Sequence, residues 1–193
     1  MKKKITLTII CAVLSCVCLI GTTFAWLMDK TETINNTFTI GNVDITLEET
    51  ENLDLKMVPG APITKDPEVG VVAGSEACWL FVKIDESTNL DDFITYTVEG
   101  TWKAVPGAQN VYYIQVDADT ATAGKIYPVL TGNQVTVNNT VTKAMMDEIK
   151  ADSSKAPKLS FTAYAIQQTG FIDGAKTEAE NAAAAWAVAK NAT

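Results

Sequence analysis

The chain has 193 residues, 15 lysines against 23 acids, no arginine, no histidine and a net charge of −8. That balance lacks the clustered positive charge that grips phosphate backbones, so nucleic-acid binding is not expected. The missing histidine also excludes Ser-His-Asp and Cys-His nucleophilic centres and H-E-x-x-H zinc hydrolysis.

The N-terminus has the three parts of an export signal. Lys2, Lys3 and Lys4 supply a positive end, residues 5–20 form an uncharged, mostly apolar run, and Gly21 breaks it. Thr23 and Ala25 then put small residues three and one before a cut that would leave Trp26 first. This pattern predicts a secretory signal peptide over residues 1–25. A retained signal anchor is the alternative, because the apolar stretch approaches the ~20 residues that span a bilayer. Cleavage leaves residues 26–193 as a single domain, long enough to bury a core without a disulfide or metal staple. Removing the three signal lysines leaves 12 bases against 23 acids, a charge of −11, so attachment to an anionic membrane after cleavage is not expected. Cys11, Cys16 and Cys18 lie in the apolar run, and Cys78 alone remains beyond it. No internal disulfide can form, and Cys78 reads as a small buried hydrophobe rather than a reactive thiol.

Beyond the signal, strand signals dominate. Residues 37–47 alternate through Phe38, Ile40, Val43, Ile45 and Leu47, with Gly41-Asn42 slipping the phase as a β-bulge would. Residues 77–85 place Cys78, Leu80, Val82 and Ile84 on one face and Trp79, Phe81, Lys83 and Asp85 on the other. Shorter strands are predicted over 93–98, 111–116, 126–130 and 134–137, and a long alternating one over 158–168. Gly- and Pro-bearing turns separate these runs, which argues for a sandwich or barrel rather than a βαβ fold. Two helices interrupt the pattern. One runs from a cap at Asn139 or Thr140 to about Lys150; the other spans 177–190, with Thr177 as N-cap and Trp186 as anchor.

Few residues stand out for chemistry. No phosphate-cradling Gly-rich loop follows a strand, so no cofactor is expected. Asp117-Ala118-Asp119 begins like an oxygen-rich cation loop but lacks a third acid and a closing Glu, and reads as a turn. The acids Glu48, Glu49, Glu51 and Asp54 read as a solvated run that also guards an edge strand. Trp79, Trp102, Tyr112 and Tyr113 could make a sugar platform, although aromatics in strands are more often core.

A resemblance adds to this reading. The string Gly21-Thr22-Thr23-Phe24-Ala25-Trp26-Leu27-Met28-Asp29, followed by Asn36-Thr37-Phe38-Thr39-Ile40-Gly41-Asn42-Val43-Asp44-Ile45, resembles the TasA/camelysin family of Gram-positive bacteria. Val58-Pro59-Gly60 with Lys65, the strand from Trp79 to Asp85, and Ala163-Tyr164-Ala165-Ile166-Gln167-Gln168-Thr169-Gly170-Phe171 before an Ala-rich segment with Trp186 are similar to further family features. Residues 86–157 carry no recognisable counterpart. The resemblance implies cleavage by a SipW-type signal peptidase and a mainly β, two-sheet antiparallel jelly-roll-like sandwich with one or two short peripheral helices. It also implies display on the cell surface or in a biofilm matrix, with self-association or other matrix proteins as partners. Some relatives form fibres when the N-terminal strand freed by cleavage completes a sheet in the next subunit. Here that donor would start at Trp26 and present Phe38, Ile40, Val43 and Ile45; pairing within its own sheet is the open alternative. Camelysin has also been described as a metalloprotease, an activity for which this histidine-free chain offers no ligand pattern.

The leading expectation is therefore a secreted, non-enzymatic structural protein. A monomeric adhesin or carbohydrate- or protein-binding module is the alternative, and an extracellular hydrolase ranks last.

Overall fold

The computed structural model describes residues 42–50 and 57–191. The signal segment, the cleavage residues Thr23, Ala25 and Trp26, and Phe38 and Ile40 of the expected donor lie outside them. In chain order the described strands are β1 (Ile45–Glu48), β2 (Pro62–Thr64), β3 (Glu68–Val71), β4 (Cys78–Glu86), β5 (Ile94–Thr95), β6 (Lys103–Ala104), β7 (Val111–Val116), β8 (Lys125–Pro128), β9 (Gln134–Val137) and β10 (Leu159–Gln167). The helices are α1 (Leu90–Phe93), α2 (Ala118–Ala123), α3 (Lys143–Ala151) and α4 (Glu178–Ala189). Every strand pairing is antiparallel. The protein is mainly β, as its alternation predicts.

Among the described residues the strands form three sheets: β1-β3-β8, β10-β4-β7-β6 and β2-β9-β5. Two of them are halves of one layer. Residues 62–71 run antiparallel to residues 125–137 throughout, but the register shifts from Pro62 opposite Thr136 to Glu68 opposite Pro128. The break falls where Lys65-Asp66-Pro67 faces the longer stretch 129–133, held by Lys65 N–H to Asn133 O at 3.0 Å and Val129 N–H to Pro67 O at 2.9 Å. Pro67 has no N–H to give, and Gly132 and Asn133 take positive φ of 67° and 53°, so the ladder cannot run through. Both halves face the same side of the four-stranded sheet. Ile63, Val69, Val71, Tyr127, Val135 and Val137 pack there against Cys78, Leu80, Val82 and Ile84.

Strand β4 is buried on both faces, with residues 78–82 all at 0% exposure. Its odd-numbered side chains Trp79 and Phe81 form a second core with Tyr113, Ala182, Ala185 and Trp186 beneath α4. Small side chains let that helix lie close to the sheet. Its start is fixed by a capping box: the Thr177 hydroxyl accepts from Glu180 N–H, and Glu180 Oε2 accepts from Thr177 N–H at 2.8 Å.

The four helices among the described residues exceed the one or two expected, because α1, just ahead of an expected strand, and α2, in a stretch read as a turn, are short segments. Thr142, rather than Asn139 or Thr140, caps α3. The expected strand over 93–98 shrinks to Ile94–Thr95, since Leu90–Phe93 closes as helix and buries Leu90 and Phe93. Asp117 is the N-cap of α2, its Oδ1 accepting from Thr120 N–H at 2.8 Å. That hydrogen bond, first among the causes, holds its carboxyl below the usual range.

Candidate functional site

The architecture leaves β10 at the edge of its sheet, with no strand partner on its outer side among the described residues. Lys158 O accepts from Ser87 N–H, and Gln168 N–H donates to Ala77 O, both at 2.9 Å on the β4 side. Strand alternation then puts the even-numbered residues' backbone groups on β4 and turns those of Leu159, Phe161, Ala163, Ala165 and Gln167 outward. Along this edge lies a cavity of about 440 Å³ with an apolar floor of Met57, Ile63, Leu90, Ile94, Val135 and Leu159. A second, of about 400 Å³, continues it past Leu159, Ser160 and Phe161 toward Leu47 and Glu48 of β1.

Lys65 lines both cavities. Its Nζ lies 2.6 Å and 2.8 Å from the two Glu49 oxygens and 5.5 Å from the centre of the Phe161 ring. Next to it, Asp66 accepts from both the hydroxyl and the N–H of Thr50, and the hydroxyl bond lowers its carboxyl below the usual range. Residues 49–50 are thus pinned to 65–66 at two points. Glu49, expected only as part of a solvated run, is half of the least exposed ion pair among the described residues, with Lys65 15% exposed. Sequence order gives no hint of this pairing across the break after β2.

Of the expected donor residues, Ile45 pairs with Val71 inside the chain, and Val43 and Ile45 pack against the sandwich core. Of the four aromatics weighed as a sugar platform, Trp79, Trp102 and Tyr113 are buried, as the core reading has it, and Tyr112 is half-buried. Cys78 is fully buried, and desolvation pushes its thiol up to about 11.

The first 75 residues carry a family signature. Residues 1–75 match the sequence profile of the family described as camelysin metallo-endopeptidase. The camelysin resemblance read from the signal and first strand is thus borne out over this segment, which ends at Ser75 just before β4. No curated protein and no solved structure matches the chain.

The family's description implies a metal, and the described residues do not fit one. They bring no three of the acids and cysteines together as ligands, and the chain has no histidine to offer. The described cysteine, Cys78, faces the apolar core with a thiol disfavoured as thiolate. Also among the described residues, no helix is long and apolar enough to cross a membrane.

Proposed function

We propose that the chain is a secreted, non-enzymatic structural protein of the cell surface or extracellular matrix that polymerises by strand addition. In this reading a SipW-type peptidase removes residues 1–25, and residues 26–193 act as one domain. The segment ahead of Val43, with Phe38 and Ile40, seats on the β10 edge of the next copy, while β1 stays paired at home. The observation that carries the reading is the nine-residue edge of β10, which has no strand partner on its outer side among the described residues and lies beside an apolar cavity. Backbone hydrogen bonds along such an edge supply affinity, and pockets for alternate side chains supply register. The contact is head-to-tail and need not close, so it generates filaments wherever the rotation between copies does not complete a ring. The camelysin match supports the export half of the proposal. The donors among the described residues do not fit a catalytic metal, which favours the non-enzymatic reading over a metal-dependent protease.

The test is negative-stain electron microscopy of protein beginning at Trp26, beside a form beginning at Val43 and the variant Ala163→Pro. The proline removes an outward N–H and leaves the β4 ladder whole. Filaments from the first alone support strand addition. Uniform single particles from all three, at high concentration and across a range of pH, would overturn it.

A further inference from the structure

A second opening of the sandwich, which shares Ile94 with the first cavity, carries a different kind of surface. Between β5 and β7 lies a hollow of about 380 Å³, lined by Glu86, Asp91, Thr95, Tyr96, Thr97 and Tyr112 among others. A second hollow, of about 240 Å³, shares Thr95, Tyr96 and Thr97 as its wall and adds Thr131, Gln134 and Thr136. They flank the segment 95–97, the shared wall of a two-part trough.

The trough is built around a fixed carboxylate. Tyr96 O–H donates to Glu86 Oε1 at 2.6 Å, and Asn110 Nδ2 donates to Glu86 Oε2 at 2.7 Å. Asn110 is placed for this by a left-handed turn, φ 54°, just before β7. Burial, followed by the Glu86 hydrogen bond, raises the Tyr96 phenol well above its ordinary value, so it stays a donor. A carboxylate has about four lone-pair sites, so Glu86 keeps acceptor capacity beyond these two bonds. Thr95 stands opposite Thr136 across the β5–β9 pair, and Thr131 N–H donates to Thr97 O at 2.9 Å. The side chains of Thr95, Thr97, Thr131, Gln134 and Thr136 are all exposed.

We propose that this trough binds a neutral polysaccharide. Two tyrosine rings offer apolar faces for the C–H side of a pyranose, and a planar carboxylate with five hydroxyl or amide groups offers partners for its ring of hydroxyls. Charge selects among ligands. Among the described residues no lysine lines either hollow, so an anionic glycan meets Glu86 and Asp91 with no counter-charge there. A cationic peptide finds Asp91 and the remaining lone pairs of Glu86, but Glu86 already holds two donors and most of the lining is uncharged hydroxyl. The inference is independent of strand addition, which uses the β10 edge.

The experiment is affinity electrophoresis of the full chain in native gels cast with hydroxyethyl cellulose, mixed-linkage β-glucan, xylan or dextran, with retention on polylysine beads measured alongside. Retardation by at least one neutral glycan is expected. It should weaken roughly tenfold or more in Thr97→Arg, which fills the trough from an exposed position, with the melting temperature unchanged. Tyr112→Leu should weaken it similarly, provided the variant melts cooperatively. Migration unaffected by every neutral glycan overturns the proposal. So does retardation that Thr97→Arg leaves intact, since the ligand then sits elsewhere. Retention only on polylysine, abolished by Thr97→Arg, overturns it in favour of a cationic peptide.

Discussion

Gly124 ends α2 at φ 78°, and a Cβ added there would lie 2.9 Å from the backbone nitrogen of Ala73. Gly107 has a similar φ of 74° but open space around it. The two separate conformational strain from collision. Gly107→Ala should cost the left-handed penalty alone, about 1–2 kcal/mol. Gly124→Ala should cost more, because backbone rather than a flexible side chain must give way. Urea unfolding of both variants, with unchanged m-values, checks the ranking. Cys78 allows a chemical test at the same scale. A buried thiol pushed up to about 11 is almost wholly protonated at pH 8. In protein beginning at Trp26, where Cys78 is the one cysteine left, the thiol should therefore resist a disulfide reagent at that pH until denaturant is added. Rapid modification in native buffer would contradict the packing described for β4. The burial of Cys78 is legible from its place in an alternating apolar run. The engagement of Glu86 by Tyr96 and Asn110 is not, because it joins three residues across two turns.

At the scale of the element, α4 concentrates its hold on the sheet in few side chains. Trp186 meets Tyr164 edge-on at 5.1 Å between ring centres and Phe81 at 5.4 Å. Trp186→Ala should destabilise by about 3–5 kcal/mol. Ala185, fully buried against the sheet, leaves no room for growth. Ala185→Leu should cost about 1–3 kcal/mol by overpacking. Thermal melts of both variants test whether the helix is integral or peripheral; a loss under about 1 kcal/mol in each would make it peripheral. This helix was readable because its cap, first-turn acids and apolar spacing agree. So were β4, β7 and β10, whose alternation is long enough to fix a period. Strands β2 and β3 escaped notice: Pro62 and Pro67 argue locally against a strand, and each run has only three or four residues. Tyr96 was hidden in a stretch read as one continuous strand, so its place at an opening between sheets depends on α1 shortening that strand.

For the whole molecule, the charge pattern sets the response to acid. Asp66, Asp117, Asp152, Asp173 and Glu180 all sit below their ordinary values, chiefly through hydrogen bonds from nearby hydroxyl or backbone groups. A carboxylate depressed in the folded state stabilises it above the unfolded value and loses that contribution as pH falls through the folded one. Neutralising part of a net charge of −8 also relieves self-repulsion. The melting temperature should therefore hold or rise slightly from pH 7 to about 5, then fall below about pH 4 as the caps protonate. Calorimetry across that range checks the sign, and a monotonic rise down to pH 3 would refute it.

The two-sided burial of β4 also bears on when the protein can fold. Its neighbour β7 follows within the next 25 residues or so, but its other neighbour is β10 and its outer cover is α4. A growing polypeptide that has reached α3 still lacks the cover of α4 over Trp79 and Phe81 and has one side of its central strand unpaired. Cooperative collapse must wait for residues 159–189, and until then the nascent chain stays slack enough to be threaded through a narrow passage end-first.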